Sequence, residues 1–182
     1  PTRTKRNKQK DQTDHREMTT GTILQKRKPA LALVSMVLAL MMTSCNKNVV
    51  YSKYQTFSGN EWFMKDKAVF DVDITDTQSL NNISLMVRHA DSYPYSNLFL
   101  FVTTKYPDGK VLGDTMEIVL ATQKGEWQGS GAGDIYDLKV PIKKNVRFVT
   151  PGKYQFTFEQ GMRVDPLPLI MDLGFEIEKS EK

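Results

Sequence analysis

The sequence predicts an all-β protein, built as a single β-sandwich of about seven to eight strands that is either immunoglobulin-like or a jelly roll. Apolar residues alternate with polar ones at period two in several segments, which is the spacing of strands buried on one face. Helix signals are scarce, since the one candidate helix, residues 162–171, contains Pro166 and Pro168. Each interior proline costs a helix about 3 kcal/mol.

Each predicted strand is recognised by its alternation or by the turn before it. Pro107 with Gly109, and Pro151 with Gly152, supply turn chemistry, because proline fixes φ and glycine accepts positive φ. Residues 98–102 are apolar on both faces, which indicates a central strand or an edge covered by a partner. The predicted inward rows are Phe70, Val72 and Ile74; Ile83, Leu85 and Val87; Met116, Ile118 and Leu120; Tyr154, Phe156 and Phe158; and Leu173, Phe175 and Ile177.

The net charge of +4 does not belong to the predicted domain. Of 25 Lys and Arg residues and 21 Asp and Glu residues, nine bases and three acids lie within residues 1–44. Residues 45–182 therefore hold 16 bases and 18 acids. A basic surface attracts polyanions only when it is part of the folded body, so we expect no nucleic-acid partner.

The N-terminal region has the pattern of a bacterial lipoprotein signal. Lys26-Arg27-Lys28 precedes an apolar run over residues 29–42, as in a secretory signal peptide. A helix of that length rises about 21 Å, short of the roughly 30 Å hydrocarbon core of a bilayer. The run ends in Met42-Thr43-Ser44-Cys45, which is similar to a lipobox. Cys45 is the only cysteine, so we expect it to carry the lipid that anchors the protein to a membrane.

These features predict a division of the chain into four parts. Residues 1–17 are interpreted as a non-native upstream extension, because they are polar and Met18 is a suitable initiator. Residues 18–44 are the signal peptide, residues 45–60 the lipidated tether and N-terminal segment, and residues 61–182 the β-sandwich domain. The tether, residues 46–50, has no acidic cluster of the kind that marks surface-exposed lipoproteins of Bacteroidetes. We therefore expect a domain that faces the periplasm.

Residues that could support catalysis or hold a metal are few, so no enzyme activity, metal or cofactor is predicted. His89 is the single histidine after residue 45, and zinc or general-base chemistry normally needs a second ligand nearby. We expect His89 to be exposed at a strand end. Asp71, Asp73 and Asp76 have the spacing of calcium ligands but lack the glycine and glutamate of the loop, so they are interpreted as the wet face of a strand.

Two irregular, aromatic-bearing segments are predicted to form a partner-binding surface. Aromatic residues on exposed loops mark recognition sites, although they can instead plug the open ends of a sandwich. The alternative function is a carbohydrate- or ligand-binding site in which Trp127, Tyr93 and Tyr95 act as stacking platforms. Thr115 follows an acid and precedes Met116, a pattern similar to the O-glycosylation acceptor of Bacteroidetes. The predicted surface comprises Tyr93, Pro94, Tyr95, Trp127, Gly131 and Asp134.

The chain from Cys45 nearly to the C-terminus resembles the gliding-motility lipoprotein H family (GldH) of Bacteroidetes. The resemblance rests on colinear short runs rather than on any single motif. It implies a non-enzymatic accessory lipoprotein of the gliding machinery, linked to type IX secretion, whose partners are other envelope proteins. The runs that carry it are Asn60-Glu61-Trp62, residues 93–102, residues 107–110, Asp114-Thr115, residues 127–135, residues 145–148, residues 151–154, Met162-Arg163 and residues 173–178.

Overall fold

The computed structural model describes residues 48–180, and these residues form an all-β domain. The predicted signal peptide and Cys45 lie outside the described residues. Within the described part, no helix has the length and apolar character needed to span a membrane. The elements are β1 (Val49–Thr56), a 3₁₀ turn (Ser58–Asn60), β2 (Glu61–Trp62), β3 (Ala68–Ile74), β4 (Asn81–Ala90), β5 (Asn97–Lys105), β6 (Val111–Val119), β7 (Ser130–Ala132), β8 (Ile135–Val146), β9 (Gly152–Gln160), β10 (Leu167–Pro168) and β11 (Ile170–Lys179).

Two antiparallel sheets pack face to face, so the predicted all-β, sandwich-like architecture is confirmed. The five-stranded sheet has the order β1-β11-β4-β8-β7, and the four-stranded sheet has the order β3-β9-β5-β6. The short strands β2 and β10 pair with each other. This small ribbon brings Trp62 and Leu167 together, and both side chains are fully buried.

Aromatic rings fill the space between the sheets. The ring of Phe175, on β11, has its centroid 4.7 Å from that of Phe156 and 5.6 Å from that of Phe158, both on β9. The Phe70 ring, on β3, lies 5.4 Å from the Phe175 ring. Phe175 has no exposed surface, so its side chain joins the five-stranded sheet to two strands of the other sheet.

The alternation in the sequence correctly identifies the inward faces of the long strands. Residues 68–74 alternate strictly between buried and exposed, with Asp71 and Asp73 on the exposed face. The predicted inward residues Phe158 and Leu173 are completely buried. β5 is an inner strand of its sheet, as the apolar character of residues 98–102 indicated. Strand β4 differs from the expectation of a half-buried strand, because Ser84 and Met86 on its outer face are also buried.

The sandwich begins earlier than the predicted boundary at residue 61. Val49–Thr56, assigned from the sequence to the N-terminal segment, forms the edge strand β1 and pairs with β11. Its exposed residues give no apolar alternation, and Tyr51 alone packs against the core. Backbone pairing therefore holds β1 in place more than side-chain burial does.

Phe175→Ala should lower the free energy of unfolding by about 3–5 kcal/mol, because the truncation leaves a cavity where four rings meet. Phe101→Ala is the matched control, since Phe101 is 53% exposed and its loss should change stability by only about 0.5 kcal/mol. Urea unfolding followed by tryptophan fluorescence measures both values. Equal destabilisation by the two variants would contradict the central role of Phe175.

Candidate partner-binding surface

The two segments predicted to form one surface do meet in the structure. Asp91 joins them, because the Trp127 indole Nε1–H donates to the Asp91 carboxylate at 2.9 Å and to its carbonyl at 3.1 Å. The Asp91 backbone N–H in turn donates to the carbonyl of Asp134 at 2.8 Å. The Tyr93 and Trp127 ring centroids lie 6.4 Å apart, and those of Tyr93 and Tyr95 lie 5.6 Å apart.

The glycine-rich segment that contains Gly131 forms a β-hairpin. Strand β7 pairs with the start of β8 across a two-residue loop, Gly133-Asp134, in which Gly133 has φ 65°. Such loops favour glycine at this position because positive φ costs other residues energy. Gly131 lies against the Tyr136 ring, where a Cβ atom would be 2.9 Å from Cε1. A side chain at residue 131 would therefore displace that ring.

His89 is completely buried, so the expectation of an exposed strand-end histidine is wrong. Three rings enclose its imidazole, with centroids 4.6 Å away for Trp127, 5.7 Å for Tyr93 and 5.8 Å for Tyr136. His89 Nδ1 lies 2.9 Å from the Ala90 carbonyl. Tyr93 is only four residues away, but Trp127 and Tyr136 are distant in the sequence, so the local sequence around His89 does not reveal its enclosure.

The aromatic residues divide between core and surface. Tyr93 is only 3% exposed, its hydroxyl donates to the Asn97 carbonyl at 3.1 Å, and burial raises the pKa of that hydroxyl. Its ring is therefore removed from the surface that a partner could contact. Trp127 and Tyr95 are half-buried, and Pro94 and Asp134 are exposed. A sugar-stacking platform needs an aromatic ring with one face open to solvent. Tyr93 is buried, and the Trp127 ring packs against His89, so neither ring offers a wide open face.

Ion pairs occur on the outer faces of both sheets, but the exposed phenylalanines among the described residues all lie on the four-stranded sheet. Ion pairs cover the five-stranded sheet: the Arg88 guanidinium lies 2.7 Å from Asp137 and 3.2 Å from Asp172, and Lys139 bridges two glutamates. The Asp137 carboxylate raises the pKa of Arg88. The four-stranded sheet instead presents Phe99, 38% exposed, and Phe101, 53% exposed. Solvent therefore contacts two neighbouring phenylalanines on one side of the sandwich only.

These phenylalanines form the floor of an open groove, which we call the outer groove, of about 530 Å³. Gln160, itself 2% exposed, shapes the wall: its amide donates to the Val164 carbonyl at 2.9 Å and accepts from the Met162 N–H at 2.8 Å. A Cβ at Gly161 would lie 3.2 Å from the Phe101 ring. The lining is Tyr95, Asn97, Phe99, Phe101, Thr115, Gly161, Met162, Arg163 and Val164.

The outer groove contains two of the predicted functional residues and two that sequence reasoning missed. Tyr95 connects the groove to the aromatic cluster around His89, and Thr115, the predicted glycosylation acceptor, is exposed at the groove. Phe99 and Phe101 were not assigned a binding role. The sequence did indicate them, because residues 98–102 are apolar on both faces of the predicted strand. One face packs into the core, so the other must pack against a partner or remain exposed.

Within residues 48–180, no group of three or more His, Cys, Asp or Glu side chains is arranged to hold a metal ion. The described domain is a β-sandwich with an apolar, aromatic groove on the outer face of its four-stranded sheet. A family model described as GldH lipoprotein matches residues 49–177, and the chain belongs to this family.

Two similar proteins align with this chain over more than nine-tenths of their own length. The gliding motility lipoprotein GldH homolog of Christiangramia forsetii is 36% identical over 149 residues, covering 78% of this chain and 91% of that protein. Gliding motility lipoprotein GldH of Flavobacterium johnsoniae is 31% identical over 155 residues, covering 81% and 96%. Dimeric latent PorU from Porphyromonas gingivalis aligns with 75% of this chain at 9% identity and a TM-score of 0.27, a similarity too low to support an inference.

Trp127→Ala should lower the free energy of unfolding by about 2 kcal/mol, below the usual 3–5 kcal/mol for a core ring because Trp127 is half-buried. Trp127→Phe keeps most of the packing on His89 but removes the N–H donated to Asp91, which should cost about 0.5–1.5 kcal/mol. Thermal unfolding of the two variants tests this order. An unchanged midpoint for Trp127→Ala would show that the ring does not support the fold.

Proposed function

We propose that the protein is a non-enzymatic, periplasm-facing lipoprotein that acts as an accessory component of the gliding-motility envelope machinery, which is linked to type IX secretion. Membership of the GldH lipoprotein family over residues 49–177 is the observation that carries this proposal. The relative from Flavobacterium johnsoniae is named a gliding motility lipoprotein and is covered over 96% of its length. The domain architecture of the two proteins is therefore shared almost completely.

The outer groove is the surface through which the protein contacts another envelope protein. Phe99 and Phe101 are rigid rings that can bury much apolar area for little loss of rotamer entropy, as interface anchors do. Tyr95 and Met162 continue the apolar surface on either side. Trp127 and Asp134 hydrogen-bond to Asp91 and so hold the start of the loop that carries Tyr95.

The fold that carries this surface is a jelly roll rather than an immunoglobulin-like sandwich. Within residues 48–180, eight strands have seven or more residues. Numbered one to eight along the chain, they pair one with eight, two with seven, three with six and four with five. This is the pairing expected when one long antiparallel hairpin wraps into a double sheet of two Greek keys. The assignment concerns the fold alone, since jelly rolls serve many functions.

Lipidation at Cys45 provides the membrane attachment. Cys45→Ser should abolish labelling of the protein by a clickable palmitate analogue in the native host and release it from the membrane fraction, because no thiol is left to receive the lipid. Ser44→Ala keeps a small residue before the cysteine and should be labelled as the unchanged protein is. Labelling that persists in Cys45→Ser would contradict the assignment.

A photo-crosslinking amino acid placed at residue 101 in the native host should capture a component of the gliding or secretion machinery, identified by mass spectrometry. The matched control is the same amino acid at Val69, which is 45% exposed on the outer face of the same sheet but outside the groove. Phe99→Ala should reduce the residue-101 adduct at least tenfold without changing the midpoint of thermal unfolding. Adducts of the same identity and yield from both positions would contradict a role for the groove.

A further inference from the structure

A second cavity, distinct from the outer groove, opens between the two sheets. It has a volume of about 240 Å³ and lies between β4 and β8 on one side and β5 and β9 on the other. The rings of Phe156 and Phe158 form part of its wall, together with Ile83, Val102 and Ile142. The cavity and the groove have no residue in common.

The burial of the inward-facing side chains shows where the sandwich is incompletely filled. On β5, Leu98 and Leu100 have no exposed surface, whereas the next two inward residues, Val102 and Thr104, are only half-buried. Ile142 on β8 faces them and is also half-buried. Inner faces of a sandwich normally interdigitate to the density of a crystal, so these residues leave apolar surface uncovered.

The ionisable side chains that line the cavity include cations but no carboxylates. The Tyr154 hydroxyl donates to the Thr150 carbonyl at 2.9 Å, and no Asp or Glu is among the described residues that line the cavity. Lys143 and Arg147 do line it. Among residues 48–180, neither forms an ion pair, although the mature chain carries more acids than bases.

Strand β8 has an irregularity between these two cations, because Lys143 pairs with Ile83 whereas Val146 pairs with Asn81. Asn145 has φ 54°, and its N–H donates to the Asn82 side-chain oxygen at 3.0 Å. Two residues beyond Arg147, the apolar side chain of Val149 is 80% exposed. The mouth of the cavity thus combines unpaired positive charge with solvated apolar surface.

We propose that the inter-sheet cavity binds a fatty acid, whose alkyl chain fills the space between the sheets and whose carboxylate pairs with Lys143 and Arg147. An apolar cavity of about 150 Å³ accepts a benzene molecule, so about 240 Å³ accepts a longer alkyl segment. Lys143 and Arg147 are both exposed at the mouth, and they favour an anionic head group over a neutral one because two cations attract a carboxylate. This binding is independent of the partner contact at the outer groove.

The test uses the full-length lipoprotein in phosphatidylcholine nanodiscs and a ten-carbon fatty acid with a diazirine near its methyl end. Irradiation should label peptides that contain Val102, Ile142 or Phe156. Decanoate should compete at a concentration at least tenfold lower than decanol, which has the same chain without the charge. Labelling confined to other segments, or equal competition by the two compounds, would overturn the proposal.

Variants of the cavity lining, of a neighbouring lysine and of Cys45 separate binding in the cavity from binding at the membrane surface. Val102→Trp fills the cavity and should reduce labelling at least tenfold, with Thr104→Phe as the substitute if the first variant does not fold. The double variant Lys143→Glu and Arg147→Glu should weaken competition by decanoate at least tenfold, whereas Lys144→Glu, outside the cavity lining, should change it less than twofold. Insensitivity to Val102→Trp would overturn the proposal. Labelling that appears only in Cys45→Ser would also overturn the proposal, because the protein's own acyl chain would then occupy the cavity in the lipidated protein.

Discussion

The contact of Phe175 with the rings of the facing sheet is the interaction on which the rest of the domain depends. Phe175 lies on the second strand of one sheet, next to the edge strand β1, and its ring reaches Phe70, Phe156 and Phe158 on two strands of the other. Sheets that twist need side chains of matching size between them to stay in contact. Phe156 and Phe158 also form part of the cavity wall, where the smaller side chains of β5 and β8 leave the space unfilled.

The outer faces of the two sheets differ in how far long charged side chains cover their apolar surface. On the five-stranded sheet, Arg88, Lys139 and their carboxylate partners cover backbone and aliphatic surface with long polar side chains. The stems of such residues bury apolar area while their charges remain in water. On the four-stranded sheet no such layer covers Phe99 and Phe101. The two rings are two residues apart on one face of an inner strand. Exposed apolar rings are costly for a protein with no partner, so they favour a contact role for this face.

Sequence reasoning succeeded where the determining pattern is local. The strict alternation over residues 68–74 encodes the strand and its orientation, because a strand's two faces are set by its own side chains. It failed where tertiary structure decides. Strand β1 has little apolar pattern and depends on pairing with β11, and the burial of His89 depends on rings from distant segments. The two segments of the predicted surface lie together in the structure, whereas Tyr93 within them belongs to the core.

Strand β5 explains how two separate surfaces arise from one stretch of sequence. Its odd-numbered residues Phe99 and Phe101 face the outer groove, and its even-numbered residues Val102 and Thr104 face the cavity. A slip of one residue in pairing would exchange these faces, so the register with β6 determines both. Turn residues around Gly109 fix that register at one end, and backbone bonds from Leu120 and Ala121 to the Ser96 carbonyl fix it at the other. Substitutions at alternate positions of β5 therefore act on different surfaces, and an effect of an even-numbered residue on partner contact would require a change in the strand itself.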